Sequence, residues 1–162
     1  MKVILALCAA LLFCGGCSHK LTPAEKEEAR RADLELQSVM DLVSKRELPP
    51  VEFELGSDQL KESSAPLLDR IYEVMANRPR LKLIVSGHTD DTGSAEFNED
   101  MSMRRAGAVK AYLCAKGIHP DSIRVYGYGG RVPAVKNDSE AARALNRRVE
   151  FRITTRGWGS VY

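Results

Sequence analysis

The sequence predicts a small α/β (α+β) sandwich, in which a mixed four-stranded sheet carries two main helices on one face in the order βαβαβ(α)β. Three observations favour this fold class. Short apolar runs of strand length alternate along the chain with segments whose apolar residues recur every three or four positions. A strand, a helix and a second, strongly apolar strand follow one another, which predicts a parallel pair joined by a right-handed crossover. The last apolar segment alternates with polar residues, as in a half-exposed antiparallel strand.

A long helix is predicted from about residue 24 to Arg46. Thr22, Pro23 and Glu25 form a helix-start signature: an N-cap, a proline in the first turn and a glutamate three residues after the cap. The Pro-Pro pair at 49–50 ends the helix. The apolar residues that share one of its faces are Ala29, Ala32, Leu36, Val39 and Val43. Such a spacer helix either docks on the domain or lies loose, and its apolar repeat is too short to indicate a coiled coil.

The first half of the sheet is predicted from residues 51 to 86. Residues 51–55 alternate Val, Phe and Leu with Glu, which predicts the first strand. Residues 66–77 carry apolar side chains at helical spacing and precede Pro79, which indicates the first main helix and its end. The apolar run 81–86 is predicted as a strand buried on both faces. We therefore expect 51–55 and 81–86 to pair in parallel.

The second half begins with a turn at 91–93, after which Gly93 or Ser94 is expected to start a short helical piece. Ser102 is predicted as the N-cap of the second main helix, which Gly117 ends. The remaining elements are two strands, a Gly-rich loop and a weak helix, predicted at 123–126, 147–155, 127–133 and 138–145, respectively.

The first residues are typical of a secretory leader. Lys2 gives a positive start, residues 3–13 form an unbroken apolar run, and small residues precede Cys17. The run is too short to span a bilayer as a stable helix. The two glycines before Cys17 match a bacterial lipobox, although Cys14 stands where Leu or Val is usual; the alternative is a plain cleaved signal. The predicted organisation is a signal peptide at 1–16, a lipidated N-terminus, linker and spacer helix at 17–49, a domain at 50–157 and a tail at 158–162.

Composition and charge exclude several classes of function. The chain has 162 residues and a formal charge of +2, without a dense basic stripe interleaved with aromatics, so nucleic acid is not an expected partner. Cys114 is the one cysteine expected to remain free after cleavage and lipidation, which leaves no internal disulfide. No Cys/His cluster suggests a metal, and no cofactor is predicted.

Asp90 and Arg105 most strongly indicate a binding function. A carboxylate in a turn and a guanidinium on the following helix suit a zwitterionic ligand, such as an amino-acid head group. If Ser102 caps the helix, Arg105 lies in the first turn, where free backbone N–H groups favour the carboxylate of the ligand. The alternative is that Asp90 only caps its turn and Arg105 only pairs with Asp90.

Two further residues are possible supports for this site. His88 lies two positions before Asp90, but no third ligand follows at a defined spacing, so a structural role is favoured over a metal or a general base. Arg147 shares the face of Val149 and Phe151 in the last strand. An inward-facing arginine must be paired, and it either neutralises an acidic group near the site or contacts the ligand directly.

Five blocks of residues occur in a characteristic order: Gly87-His88-Thr89-Asp90; Asn98; Ser102 with Arg105-Ala106; Gly127-Tyr128-Gly129 with Pro133; and Asn146-Arg147-Arg148-Val149-Glu150. This order resembles the OmpA C-terminal (OmpA/MotB) family of peptidoglycan-binding domains over about residues 50 to 155. The lipobox makes the chain most similar to the lipoprotein members of that family.

The resemblance implies a ligand, the diaminopimelate of the peptidoglycan stem peptide. In the family, residues matching Asp90 and Arg105 hold its free amino-acid end, and Thr92 and Asn98 fall where supporting contacts are made. The implied protein is a lipoprotein of the outer membrane with its domain in the periplasm, which tethers that membrane to the wall noncovalently and is not an enzyme. The alternatives are an interaction subunit of the Tol system or of another envelope complex and, less favoured, a cell-wall hydrolase using His88 and Asp90.

Overall fold

The computed structural model describes residues 22–155, so the predicted signal peptide, the lipidation at Cys17 and the tail at 158–162 lie outside the described residues. The elements in chain order are α1 (Pro23–Ser44), α2 (Ala65–Ala76), β1 (Lys82–Gly87), α3 (Ala95–Ala115), β2 (Ile123–Gly127), α4 (Glu140–Asn146) and β3 (Val149–Thr154). Single turns of 3-10 helix at Glu62–Ser64 and Pro120–Ser122 precede α2 and β2. None of the helices in this part of the chain is long and apolar enough to cross a membrane.

The start of α1 is fixed by the predicted capping box. Thr22 Oγ1 accepts a hydrogen bond from the backbone N–H of Glu25, and the Glu25 carboxylate accepts one from the backbone N–H of Thr22 at 2.7 Å. The helix docks on the domain instead of lying loose. Its residues Ala32, Leu36 and Val39 are buried in the same apolar core as α2 and β1.

The sheet is built around β1, with the strand order β2-β1-β3. β1 pairs in parallel with β2, where Leu83 lies opposite Ile123, and antiparallel with β3, where Val85 lies opposite Phe151. The crossover between β1 and β2 is made by α3, which packs on both strands. The site described below begins where β1 ends.

The predicted four-stranded sheet is not confirmed, because residues 22–155 contain three strands in one mixed sheet. Residues 51–55 do not pair with β1. Phe53 forms a single antiparallel bridge with Leu60, and the backbone N–H of Glu54 donates to the carbonyl of Gln59 at 2.9 Å. The segment therefore folds back on its own neighbour. Alternation of apolar residues indicates a strand-like period but does not identify the partner strand, and the parallel partner of β1 is β2.

The predicted break before Ser102 is wrong. Helix α3 runs without interruption from Ala95, with Ser94 as its N-cap. Inside the helix, the Ser102 hydroxyl donates to a carbonyl one turn earlier and accepts from the backbone N–H of Gly129, both at 2.9 Å. Serine can bond to the backbone at a cap or within a helix, so the residue type did not distinguish the two. Arg105 therefore lies well past the first turn, and the free backbone N–H groups of a helix start are not available beside it.

Candidate functional site

Asp90 lies in the loop that leaves the end of β1. The loop is anchored on both sides, because the backbone N–H of His88 donates to the carbonyl of Arg148 and that of Thr89 donates to the carbonyl of Gly129, each at 2.9 Å. Asp90 itself is 8% exposed. Its Oδ1 accepts the backbone N–H of Thr92 at 2.9 Å, so the side chain closes its own turn, as the sequence suggested.

The second oxygen of Asp90 is paired with Arg147. Arg147 Nη1 donates to Asp90 Oδ2 at 2.7 Å, and Arg147 Nη2 donates to Glu140 at 2.8 Å. Arg147 is not an inward-facing residue of the last strand. It lies between α4 and β3 as the C-cap of α4, with its side chain 37% exposed. Arg147 thus pairs with the acidic group of Asp90, one of the two roles that the sequence left open, and a direct contact with a ligand stays a prediction.

These contacts keep Asp90 ionised. Burial raises the pKa of its carboxyl, but the hydrogen bonds from Arg147 and Thr92 outweigh burial, so the pKa lies below its ordinary value. Each carboxylate oxygen keeps lone pairs that can accept a further donor. Asp90 can thus accept hydrogen bonds from a ligand ammonium without first losing its present partners.

Arg105 reaches the same cleft from α3. Its Nε donates to the carbonyl of Ser57 at 3.0 Å, and its guanidinium carbon lies 5.1 Å from the centre of the Phe53 ring. Among the described residues, Asp90 and Arg105 form no ion pair with each other. Of the structural alternative, the turn closed by Asp90 is therefore present, but the pairing of Arg105 with Asp90 is not. The two Nη groups of Arg105 donate no hydrogen bond within 22–155, which leaves the fork open for an anion.

The charge environment of Arg105 also favours an anion. Burial lowers the pKa of its guanidinium, and the positive charge of Arg147 lowers it further. Arginine stays protonated in spite of such shifts. Two guanidinium groups thus approach one buried carboxylate, and the site can accept a negatively charged group beside a positively charged one.

Thr92 and Asn98 hold the loop in place. The side-chain amide of Asn98, which is 6% exposed, donates to the carbonyl of Thr92 at 3.0 Å and to that of Asp90 at 3.4 Å. Asn98 lies in the first turn of α3. It thereby ties the helix that carries Arg105 to the loop that carries Asp90. This geometry gives both residues a supporting position, and direct contact with a ligand stays a prediction.

The ends of β1 and β2 approach α3 closely because glycines line the contact. A Cβ atom on Gly87 would lie 2.1 Å from the carbonyl oxygen of Ser102, and one on Gly127 would lie 2.6 Å from the backbone nitrogen of Met103. A real Cβ cannot occupy such positions. Gly87 and Gly127 therefore set the distance between the strand ends and the helix of Arg105.

His88 is buried and has a structural environment. Its ring stacks on Tyr128 with the ring centres 5.3 Å apart, and its Nε2 lies 3.7 Å from a Glu150 carboxylate oxygen. Neither ring nitrogen has a hydrogen-bond partner among the described residues. Burial and the positive charge of Arg148 lower the pKa of the imidazole. Residues 22–155 contain no group of three or more His, Cys, Asp or Glu placed to hold a metal ion.

Asp90, Arg105 and Arg147 all line one cleft with a volume of ≈ 1010 Å³. Sequence reasoning missed the part played here by Ser57, whose carbonyl holds Arg105, and by Glu140, which holds Arg147. These contacts join residues 48 and 7 positions apart along the chain. No local spacing rule connects them, and Ser57 contributes a backbone atom that any residue would have.

The family model described as "OmpA family" matches residues 52–147. The peptidoglycan-associated lipoprotein of Pasteurella multocida is 32% identical over 140 residues, which cover 86% of this chain and 87% of that protein. Outer membrane porin F of Pseudomonas fluorescens is 38% identical over 103 residues, and the match spans 64% of this chain but only 32% of the porin. This chain therefore spans about a third of the porin that it resembles.

Solved structures also show similarity to a peptidoglycan-associated lipoprotein. The peptidoglycan-associated lipoprotein of Burkholderia pseudomallei superposes with a TM-score of 0.61 at 25% identity, covering 64% of this chain and 88% of that one. The resemblance inferred from the five sequence blocks is confirmed by the family model, the relatives and this structural neighbour.

Proposed function

Because the chain belongs to the OmpA family, we propose that it is an outer-membrane lipoprotein that binds peptidoglycan through the diaminopimelate of the stem peptide. Its domain lies in the periplasm and tethers the outer membrane to the wall without a covalent bond. It performs no chemical step on the wall. The names of its relatives, a peptidoglycan-associated lipoprotein and an outer membrane porin, support this proposal.

The observation that carries the proposal is the open fork of Arg105 beside the fixed charge of Asp90 in one cleft. The free end of diaminopimelate has an ammonium and a carboxylate on one carbon. Asp90 accepts hydrogen bonds from the ammonium, and the Nη groups of Arg105 grip the carboxylate. Both charges are held by the protein before the ligand arrives, so little ordering is needed on binding.

Attachment to the membrane rests on Cys17, which follows two glycines and an apolar run. Two or more acyl chains on this cysteine give durable anchoring, since each buried methylene contributes roughly 0.8 kcal/mol and one chain alone is marginal. Ser18 follows Cys17, which is consistent with sorting to the outer membrane.

A sedimentation assay on purified sacculi tests the proposal. Asp90→Ala and Arg105→Ala each remove one partner of a charge-assisted hydrogen bond, so we expect at least about tenfold weaker binding than that of the wild type. Arg104→Ala is the matched control. This variant loses the same charge one position away, but the arginine that it removes pairs with Asp100 at 2.6 Å and does not line the cleft.

Equal binding by all four proteins would contradict the proposed site. The same incubation separates the alternatives. Release of soluble muropeptides would favour a hydrolase. Crosslinking in cells to a Tol-type protein, lost on deletion of residues 23–44 while sacculus binding stays intact, would favour an interaction subunit.

A further inference from the structure

The cleft is much larger than the head group that its charged residues would hold. Its volume of ≈ 1010 Å³ lies at the upper end of the range for small-molecule sites. An ammonium and a carboxylate on one carbon occupy only a small part of such a space. The remainder of the cleft is bounded mainly by apolar side chains. It therefore suits a different part of a ligand from the one held at the charged end.

Part of this apolar boundary comes from α1. Met40 and Val43 line the cleft, and they are joined there by Pro50, Val51 and Phe53. Phe53 connects the two regions, because the guanidinium of Arg105 lies over its ring at 5.1 Å. The apolar wall is therefore continuous with the charged end of the site. Residues 40 and 43 precede the part of the chain that the family model matches, 52–147.

The apolar side of the cleft that α1 forms is held in place before any ligand binds. Leu36 and Val39 of α1 are buried in the core. Glu35 accepts two hydrogen bonds from Arg78, each of 2.7 Å, a bidentate pair that fixes α1 against the end of α2. Met40 and Val43 are thus carried on a helix with a fixed position.

The mouth of the same cleft carries exposed apolar side chains. Three of the seven exposed large apolar residues in the described part of the chain line it, namely Leu55, Phe97 and Leu145. Leu55 is fully exposed at 102%. Concentration of exposed apolar surface around one cleft indicates that a ligand covers it.

We propose that Met40 and Val43 of α1, together with Val51, form an apolar subsite for the stem peptide that continues from the diaminopimelate head group. This inference rests on the proposed function, since it requires Asp90 and Arg105 to hold that head group. The occupant of the subsite follows from the continuity of the apolar side of the cleft with its charged end. A ligand fixed by its charged end in one part of the cleft places the alkyl groups of its adjoining peptide residues along the apolar wall, where burial of their surface is favourable.

The test compares two ligands that share the head group. Isothermal titration of the full-length chain in detergent is performed with free diaminopimelate and with the stem tetrapeptide alanyl-γ-glutamyl-diaminopimelyl-alanine. The variants are the double substitution Met40→Ser with Val43→Ser, and Leu34→Ser as a matched control. Leu34 lies on the same helix and is 59% exposed, outside the cleft. Thermal melting of each variant establishes that it is folded. Met40→Leu is a second control, because it retains the apolar surface at this position.

We expect the double variant to bind the tetrapeptide about five- to twentyfold more weakly than the wild type and free diaminopimelate less than twofold more weakly. Leu34→Ser and Met40→Leu should bind both ligands as the wild type does. An equal loss for both ligands, or no loss for either, would overturn the subsite, while binding of free diaminopimelate to the wild type would still support the head-group site. Absence of binding of both ligands to the wild type would overturn the proposed function as well.

Discussion

In the proposed binding mode, Asp90 is the residue on which binding depends most, and the charge of its carboxylate is stabilised by Arg147 and by the backbone of Thr92. Each of these donors satisfies one oxygen and leaves room for another donor. A ligand ammonium therefore adds to an existing arrangement and does not need to displace it. The role of Arg147 is to keep Asp90 oriented and ionised, while Arg105 supplies the open donors.

Binding to sacculi should be insensitive to pH from neutrality down to about 4, the ordinary pKa of an aspartate carboxyl, and should be lost only as pH falls further. The pKa of Asp90 lies below its ordinary value because its hydrogen bonds outweigh its burial. Only the ionised carboxylate attracts the ligand ammonium, so binding is lost as pH falls through the pKa of Asp90 in the folded protein. Sedimentation of the protein with sacculi across this range measures the effect. Asp90→Asn should bind weakly at every pH, and a wild-type loss already complete at pH 6 would contradict the assignment.

His88 should make the fold less stable in mild acid. Burial lowers the pKa of its imidazole, so the unfolded chain takes up this proton at a higher pH than the folded one. Stability from the neutral ring is complete above the unfolded pKa of about 6.5 and falls as pH decreases toward the folded pKa. Glu150 and Arg148 are the charged groups that influence it.

His88→Phe should remove this pH dependence while keeping the stack on Tyr128. It also removes two buried nitrogens that lack partners among residues 22–155, so stability at pH 7 should be unchanged or higher by about 1 kcal/mol. Chemical denaturation of both proteins at pH 7 and pH 5 measures this. Identical pH dependence in wild type and variant would show that His88 is not the responsible group.

At the scale of the elements, the close contact of α3 with the ends of β1 and β2 positions Arg105 and Asn98. Gly87→Ala would place a Cβ 2.1 Å from the Ser102 carbonyl oxygen, which backbone atoms cannot relieve without moving the helix. We expect destabilisation of about 3 kcal/mol or more together with weaker sacculus binding. Both are measured by denaturation and sedimentation.

Gly107→Ala is the control for this change, because Gly107 lies on α3 and a Cβ atom added there would meet nothing within 4 Å. Alanine is favoured over glycine inside a helix, so this variant should be more stable than the wild type by about 0.5–1 kcal/mol and should bind normally. If Gly87→Ala were as stable as Gly107→Ala, the close approach would not govern the site.

Several elements could be predicted from the sequence because their signals are local. The capping box at Thr22 and the apolar spacing before Pro79 located α1 and α2 to within a few residues. The apolar run 81–86 gave β1, and the strict alternation after Arg147 gave the antiparallel β3. The pairing of 51–55 could not be predicted, since alternation does not identify the partner, which here is the neighbouring segment around Leu60. The continuity of α3 could not be predicted either, since the Ser102 hydroxyl bonds to Gly129, 27 positions away.

The same distinction applies to the site. Asp90 and Arg105 are predicted as ligand-binding residues from residue type and from five ordered blocks. Both line one cleft, and their contact with a ligand stays a prediction. The actual ion-pair partner of Asp90 is Arg147, 57 positions away along the chain. Such a pairing is decided by the return of β3 beside β1, which no local spacing reveals.

At the scale of the whole molecule, the proposed function gives the chain two attachments that act together. A lipid anchor at Cys17 and a wall-binding domain on one chain would raise the effective concentration of the domain at its ligand, so that a modest affinity of the site would suffice for retention. The spacer between them is not free, because α1 shares the core of the domain.

Cys17→Ser should release the protein from the outer membrane without weakening its binding to isolated sacculi. Fractionation of cells followed by sedimentation measures both properties. Asp90→Ala should show the reverse behaviour, with membrane retention and loss of wall binding. A Cys17→Ser protein that stays in the membrane fraction after peptidoglycan digestion would contradict lipidation at this residue.

The docking of α1 has a mechanical consequence for a tether. If the chain is the proposed tether, separation of membrane and wall loads α1 at its first residues. The helix would then peel from the domain in order, first at the contact of Glu25 with Arg80 and then at that of Glu35 with Arg78. A helix of 22 residues gives roughly 33 Å of extension once detached. Met40 and Val43 lie near the C-terminal end of α1 and detach last. The chain therefore lengthens under load before the cleft loses its apolar side.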